Sequence, residues 1–105
     1  MYARVARYKI DPERCDEAVE RFEAAGDEIA VLEGYRTGLL LVDPDSGEMM
    51  TITVWESQWA LEASEVRATR LRQGAAREVD GEVQSVHRFN VAVPLGVEIG
   101  QEASQ

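Results

Sequence analysis

His87 is the side chain best suited to moving a proton, since it is the single histidine among 105 residues and an imidazole titrates near neutrality. On an extended segment it shares a face with Ser85 and Phe89, which makes it a candidate general base on the last strand. A lone histidine can also pack inside a core or a dimer interface, and no catalytic motif surrounds this one. Both roles stay open from the sequence.

The first predicted strand carries two tyrosines and an arginine on one face. Side chains alternate between the faces from Tyr2 to Ile10, so Tyr2, Arg4 and Tyr8 project to the same side. The opposite face is half apolar. Because neither face is cleanly polar, we expect the second side of the sheet to be enclosed as well, by a partner or by a ligand cavity.

Metal and phosphate chemistry lack the residues that they need. One histidine and one cysteine, Cys15, cannot supply a Cys/His zinc site, and the carboxylates do not follow the spacing of a calcium loop. Gly34 and Gly38 lack the preceding strand and the basic partner of a phosphate-binding loop. Cys15 is interpreted as a small core residue of the first helix. We expect no metal site.

The charge balance argues against polyanionic partners. The chain has 20 Asp and Glu against 11 Lys and Arg, a formal net charge of -9, so nucleic acid and anionic membranes should be repelled. No apolar stretch approaches the roughly 20 residues that span a bilayer, and no signal-peptide pattern is present. We therefore expect a cytoplasmic protein without nucleic-acid or membrane partners.

The order of the predicted elements is strand, helix, strand, strand, helix, strand. The predicted strands run over Tyr2–Ile10, Tyr35–Val42, Met49–Trp55 and Val83–Val93. This order predicts an α+β, ferredoxin-like βαββαβ fold, in which a four-stranded antiparallel sheet carries both helices on one face. Residues 1–94 are predicted to form the domain, and residues 95–105 a flexible tail or an arm that crosses to a partner.

Both helices have recognisable starts. Asp11 followed by Pro12 suits the N-terminus of the first helix, and Ser57 can cap the second. Gly74 is expected to bend or divide the second helix. Its apolar side is predicted to comprise Trp59, Ala63, Val66, Arg70 and Leu71.

The segment Val54-Trp55-Glu56-Ser57-Gln58-Trp59-Ala60 joins the third strand to the second helix. It resembles the antibiotic biosynthesis monooxygenase group of dimeric α+β barrel proteins, in which a strand ends in Trp-Glu/Asp-Ser before the second helix. In that family the bare sheet faces of two subunits pack together into a barrel. The resemblance therefore implies a homodimer.

The resemblance also implies an activity that requires no cofactor. Cofactor-free oxygenases of this family draw electrons from the phenolate or enolate of the substrate, so the protein binds a flat aromatic molecule, helps to deprotonate it and excludes water. For a small polyketide- or quinol-type substrate, the implied catalytic residues are His87, Arg4 and Tyr8. The implied substrate-binding residues are Tyr2, Tyr35, Trp59 and Met50.

Two alternatives bear on this interpretation. Aromatic residues at these spacings also suit an ordinary core, and a dimer of this fold can serve as a non-catalytic module that binds a small ligand or supports a partner. Haem-degrading members of the superfamily resemble one another in an Asn, a Trp and a His. The nearest positions here hold Ala6, Ser64 and Gly74, so haem degradation is not expected.

Overall fold

Four antiparallel strands form one sheet with the spatial order β2-β3-β1-β4 in the computed structural model, which describes residues 1–96. The strands are β1 (Tyr2–Lys9), β2 (Tyr35–Asp43), β3 (Glu48–Trp55) and β4 (Glu82–Asn90). The helices are α1 (Cys15–Ala30), α2 (Gln58–Ala63) and α3 (Glu65–Glu78). The predicted α+β, ferredoxin-like arrangement is confirmed.

The helix starts follow the predicted capping residues. The Asp11 carboxylate accepts a hydrogen bond from the Glu13 backbone N–H at 3.0 Å and opens a 3₁₀ turn over Pro12–Arg14 that leads into α1. The Ser57 hydroxyl accepts one from the Ala60 N–H at 3.1 Å and begins α2. Both bonds satisfy donors that a helix N-terminus leaves without a partner in the helix itself.

The second helical segment divides at Ser64, not at Gly74 as predicted. The Leu61 carbonyl accepts bonds from the Ser64 hydroxyl at 2.7 Å, from the Ser64 N–H at 3.2 Å and from the Arg4 guanidinium at 2.9 Å. Competing donors at the last carbonyls of a helix favour its termination there. Gly74 lies inside α3, because a helix tolerates one glycine in its interior at a modest cost.

The predicted apolar side of this segment was correct at Leu71, which packs against the core, and wrong at its other positions. Trp59 and Val66 are exposed, and the buried positions are instead Ala60, Leu61, Ser64, Ala68, Arg72, Ala75 and Ala76. Small side chains let the helix approach a sheet face that already carries large groups. In α1, Cys15 is buried as predicted, together with Ala18, Phe22 and Ile29.

A β-bulge in β4 changes the face of the sheet to which its side chains project. Arg7 pairs with Ser85 and Tyr8 pairs with Val83, so the register shifts by one residue between these pairs. Val83 therefore packs against the core under the helices, whereas strict alternation along an unbroken strand would place it on the same face as Ser85. The strand ends at Asn90 and not at Val93.

The two faces of the sheet differ in what covers them. The apolar core lies between the sheet and the helices, around Tyr8, Phe22 and Trp55. The other face leaves large apolar side chains exposed, among them Leu39, Leu41 and Phe89. Most of the tail predicted over residues 95–105 lies outside the described residues. Among residues 1–96, no helix is long and apolar enough to cross a membrane.

We predict that Gly47→Ala destabilises the turn between β2 and β3. Gly47 has a φ of 82°, and a Cβ there would lie 1.9 Å from the Ile10 carbonyl oxygen. The free energy of unfolding, measured by urea denaturation, should fall by about 2 kcal/mol or more. Gly74→Ala is the control, because its Cβ meets open space on a helix, and it should raise stability by about 0.5–1 kcal/mol. Equal stability of the two variants would contradict the assigned turn geometry.

Candidate functional site

Arg4 is a charged side chain buried beneath the helices, with 4% of its surface exposed. Strand alternation places it on the helix face of β1. Its Nη2 donates to the Leu61 carbonyl at 2.9 Å and to the Ser64 hydroxyl at 2.8 Å. Arg4 therefore connects the central strand to the junction of α2 and α3, where a cation also suits the carbonyl end of a helix.

The surroundings of Arg4 only partly compensate for the cost of removing its charge from water. The Glu65 carboxylate lies 3.5 Å from Nη2, and the guanidinium carbon lies 5.6 Å from the Trp55 ring centroid. Burial lowers the pKa of Arg4, and Glu65 opposes this shift. The Arg4 Nε is buried without a hydrogen-bond partner among residues 1–96, an arrangement that typically costs about 1–3 kcal/mol.

Glu65 is shared between two arginines. Its second carboxylate oxygen accepts a hydrogen bond from the Arg88 Nε at 2.6 Å. Arg88 lies on β4 directly across from Arg4 in the strand register. A single carboxylate thus serves two guanidinium groups, so neither cation is fully neutralised by it.

Tyr8 supplies a buried hydroxyl next to this cationic region. The hydroxyl lies 2.8 Å from the Thr51 Oγ1, and the ring packs against Phe22 at a centroid distance of 4.6 Å. Burial raises the pKa of Tyr8, while the Thr51 hydrogen bond and the nearby Arg72 guanidinium oppose the shift. The phenol therefore stays protonated at neutral pH and can donate a hydrogen bond.

A cavity of about 70 Å³ lies between the sheet, α1 and α3. Its polar lining consists of Arg4, Tyr8, Tyr35, Thr51, Thr53 and Arg72. The rest is apolar or small, from Phe22, Ala25, Gly26, Ile29, Ala68 and Leu71. Within residues 1–96, no Asp or Glu lines the cavity. The cavity can therefore offer guanidinium and hydroxyl donors to an acceptor group.

The structure brings together three of the sequence-predicted site residues and separates the others. Arg4, Tyr8 and Tyr35 line the cavity. Tyr2 is on the same sheet face but packs against the neighbouring cluster around Trp55. Trp59 is 66% exposed on α2 and does not line the cavity.

His87 and Met50 lie on the opposite face of the sheet. His87 pairs with Val5 and Met50 pairs with Arg7, and both of these β1 residues alternate with Arg4 and Tyr8. Because paired residues project to the same face, neither side chain reaches the cavity. The expected grouping of His87 with Arg4 and Tyr8 is absent from the described residues 1–96, and the catalytic role of His87 stays a prediction.

Arg72 lines the cavity although it was not among the predicted site residues. From the sequence, Arg67, Arg70 and Arg72 make the second helix basic, and they could pair with the acidic first helix or hold an anionic substrate. Arg72 is 9% exposed and lies one helical turn after the buried Ala68. In the part of the chain that the structure describes, Arg72 forms no ion pair with a carboxylate. A helix stripe drawn through Leu61 and Ala68 would have included it.

The residues of the strand-to-helix segment have structural roles. Trp55 is fully buried, and its indole N–H donates to the Thr53 hydroxyl at 3.0 Å. Ser57 caps α2, and the Glu56 carboxylate accepts from Arg36 at 2.8 Å. These contacts hold Trp55 beneath Arg4 and place the start of α2.

Comparisons with known proteins agree with this architecture. The fold matches a candidate antibiotic biosynthesis monooxygenase from Deinococcus radiodurans with a TM-score of 0.74 and 10% identity, over 93% of this chain and 99% of that one. It matches SnoaB, a cofactor-independent oxygenase from Streptomyces nogalater, with a TM-score of 0.71 and 19% identity, over 91% and 97% of the two chains.

A third structure, a candidate antibiotic biosynthesis monooxygenase from Nitrosomonas europaea, has a TM-score of 0.68 and 9% identity, over 89% of this chain and 100% of that one. The comparison with curated proteins gave no significant match. The sequence model of the antibiotic biosynthesis monooxygenase family matches residues 1–81. With most of its length matched in sequence and its sheet order matched in structure, the chain belongs to the antibiotic biosynthesis monooxygenase family.

Proposed function

We propose that the protein is a cofactor-independent monooxygenase-like enzyme that acts on a small aromatic substrate of the polyketide or quinol type. The reaction would take place at the cavity between the sheet, α1 and α3. The observation that carries this proposal is the convergence of Arg4, Arg72 and the Tyr8 hydroxyl on a cavity without a lining carboxylate. Fixed donors of this kind stabilise a negative charge that develops on a substrate.

The proposed chemistry begins with removal of a proton from an activated CH₂ group of the substrate. The positive charges of Arg72 and Arg4 stabilise the resulting enolate or phenolate. They therefore lower the pKa of the substrate group that loses the proton, and a weak base is sufficient to remove it. The neutral Tyr8 hydroxyl donates a hydrogen bond to the anionic oxygen. The carbanion then reduces O₂, and the balanced reaction converts R₂CH₂ and O₂ to R₂C=O and H₂O, with four electrons passing from substrate to oxygen.

The second candidate is a non-catalytic module that binds a small ligand or supports a partner, and the small size of the cavity favours this role over turnover of an aromatic substrate. Ligand pockets usually enclose about 300–1,000 Å³, whereas this one encloses about 70 Å³. An aromatic substrate would have to extend beyond it. The exposed Gly26 lines the cavity on α1, and no heavy atom lies within 4 Å of the position of a Cβ there, so space is open on that side.

A homodimer formed through the uncovered sheet face is also part of the proposal. On that face Ile52 pairs with Val5 on one side and with Leu39 on the other. Leu39 is 62% exposed in the single chain. Contiguous apolar surface of this kind marks a protein interface, and proteins of this family are typically dimeric.

We predict that the wild type consumes O₂ with an anthrone or a quinol, and that Arg72→Met and Tyr8→Phe each lower kcat/KM by at least about tenfold, because each removes one donor to the anion. Oxygen-electrode measurements provide the test. Arg67→Met is the matched control, since Arg67 is exposed on the same helix and pairs with Glu28 at 3.6 Å. Its kcat/KM should not change.

Three outcomes would argue against this assignment. Absence of O₂ uptake by the wild type would favour the binding module. Unchanged turnover in both Arg72→Met and Tyr8→Phe would remove the cavity from the mechanism. Loss of turnover in His87→Ala, with normal turnover in Arg72→Met, would place the chemistry on the opposite face of the sheet.

We predict that Ile52→Lys converts a dimer into a monomer, because it would bury a charge at the centre of the apolar face. Light scattering of the purified protein measures the mass directly. Val66→Lys is the control, since Val66 is 71% exposed on α3, away from that face, and the dimer should persist. A monomeric wild type, or dissociation of the Val66 variant alone, would contradict the proposed interface.

A further inference from the structure

The cavity concentrates positive charge that the protein itself does not balance. Arg4 and Arg72 are both at least nine-tenths buried and line it together. The nearest carboxylate to Arg4, that of Glu65, is already hydrogen-bonded to Arg88. Removing a guanidinium from water is costly unless a counter-charge and hydrogen-bond acceptors replace the water.

A buried hydrogen-bond donor in this region also lacks an acceptor among residues 1–96. This donor is the Arg4 Nε. Arg72 has the Tyr8 hydroxyl as a neighbour, and Tyr8 in turn lies 2.8 Å from Thr51. A planar oxyanion accepts several N–H and O–H donors at once, and guanidinium groups match the geometry of a carboxylate.

The volume of the cavity limits what can enter. An apolar cavity of about 150 Å³ holds a benzene molecule, which is about twice the 70 Å³ available here. A group of three heavy atoms, such as a carboxylate, is small enough for such a space. A six-membered ring is not, unless side chains move.

We infer that the cavity is a carboxylate-binding subsite, in which Arg72, Arg4 and the Tyr8 hydroxyl hold an acidic substituent of the ligand. The inference deepens the proposed function and rests on it in one respect, namely that the ligand is aromatic. In a ligand with an acidic substituent the three donors hold the carboxylate, and in a ligand without one they hold the phenolate or enolate oxygen. The substrate class is then an aromatic acid. Its ring extends from the buried carboxylate past Gly26, where the surface of α1 is open.

Carboxylate binding can be measured without turnover. Chemical-shift titrations of the full-length protein with benzoate and acetate should give saturable binding, with benzoate the tighter of the two. The uncharged isosteres benzamide and acetamide should bind at least about tenfold more weakly, because they offer no charge-assisted hydrogen bonds. Equal binding of benzoate and benzamide, or no binding of either, would overturn the inference.

Two matched pairs of variants locate the site. Arg72→Met should weaken benzoate binding at least about tenfold, and Arg67→Met should not. Gly26→Leu should weaken benzoate more than acetate, because only the ring passes that position, whereas Gly74→Leu should affect neither. Equal losses in Arg67→Met and Arg72→Met would show non-specific attraction and contradict the subsite.

The experiments can reject the carboxylate subsite and the oxygenase activity independently of each other. Selective benzoate binding without O₂ uptake from any anthrone or quinol would support the subsite and reject the proposed reaction. Turnover of uncharged quinols with no measurable binding of benzoate or acetate would support the reaction and reject the subsite.

Discussion

The buried guanidinium of Arg4 is the interaction on which the rest of the site depends. Arginine stays charged at any pH at which the protein folds, so its burial on a central strand requires acceptors from the layer above. The Leu61 carbonyl and the Ser64 hydroxyl supply them. These bonds end α2, start α3 and fix the height of α3 over the sheet. Arg72 then reaches the Tyr8 hydroxyl because α3 runs from that fixed point.

The two faces of one sheet have different chemical properties for a simple geometric reason. Alternate residues of β1 point in opposite directions, so Arg4 and Tyr8 face the helices, whereas Val5 and Arg7 face the uncovered side. The helix side has buried donors around a narrow cavity. The uncovered side has apolar side chains suited to a second subunit. The proposed binding site and the proposed dimer interface thereby use opposite faces of one sheet, within a domain of about a hundred residues.

Much of this arrangement could be predicted from local patterns. Strand alternation placed Arg4 and Tyr8 on one face, and the capping residues Asp11 and Ser57 marked the helix starts correctly. The Trp55-Glu56-Ser57 segment identified the family because its residues hold the strand-to-helix junction. These features depend on contacts between residues that are close in sequence, or on the two-residue repeat of a strand, which is visible in the sequence itself.

Other features required contacts between distant parts of the chain. Arg72 could not be distinguished from its exposed neighbours Arg67 and Arg70, because the buried stripe of α3 consists mainly of alanines, which a search for large apolar residues passes over. The face of His87 depends on its pairing with Val5, and that pairing cannot be read from β4 alone. The break at Ser64 depends on Arg4, 60 residues earlier in the chain.

In the proposed function, the cavity favours the anionic form of an aromatic ligand. The apparent pKa of a bound chromogenic phenol, such as 4-nitrophenol, tests it most directly, since the absorbance of the phenolate can be followed against pH in the presence of excess protein. Two nearby guanidinium groups should lower that pKa by about one unit or more relative to the free phenol. The Arg72→Met variant should restore most of the difference. An unchanged or raised pKa in the wild type would contradict the claim.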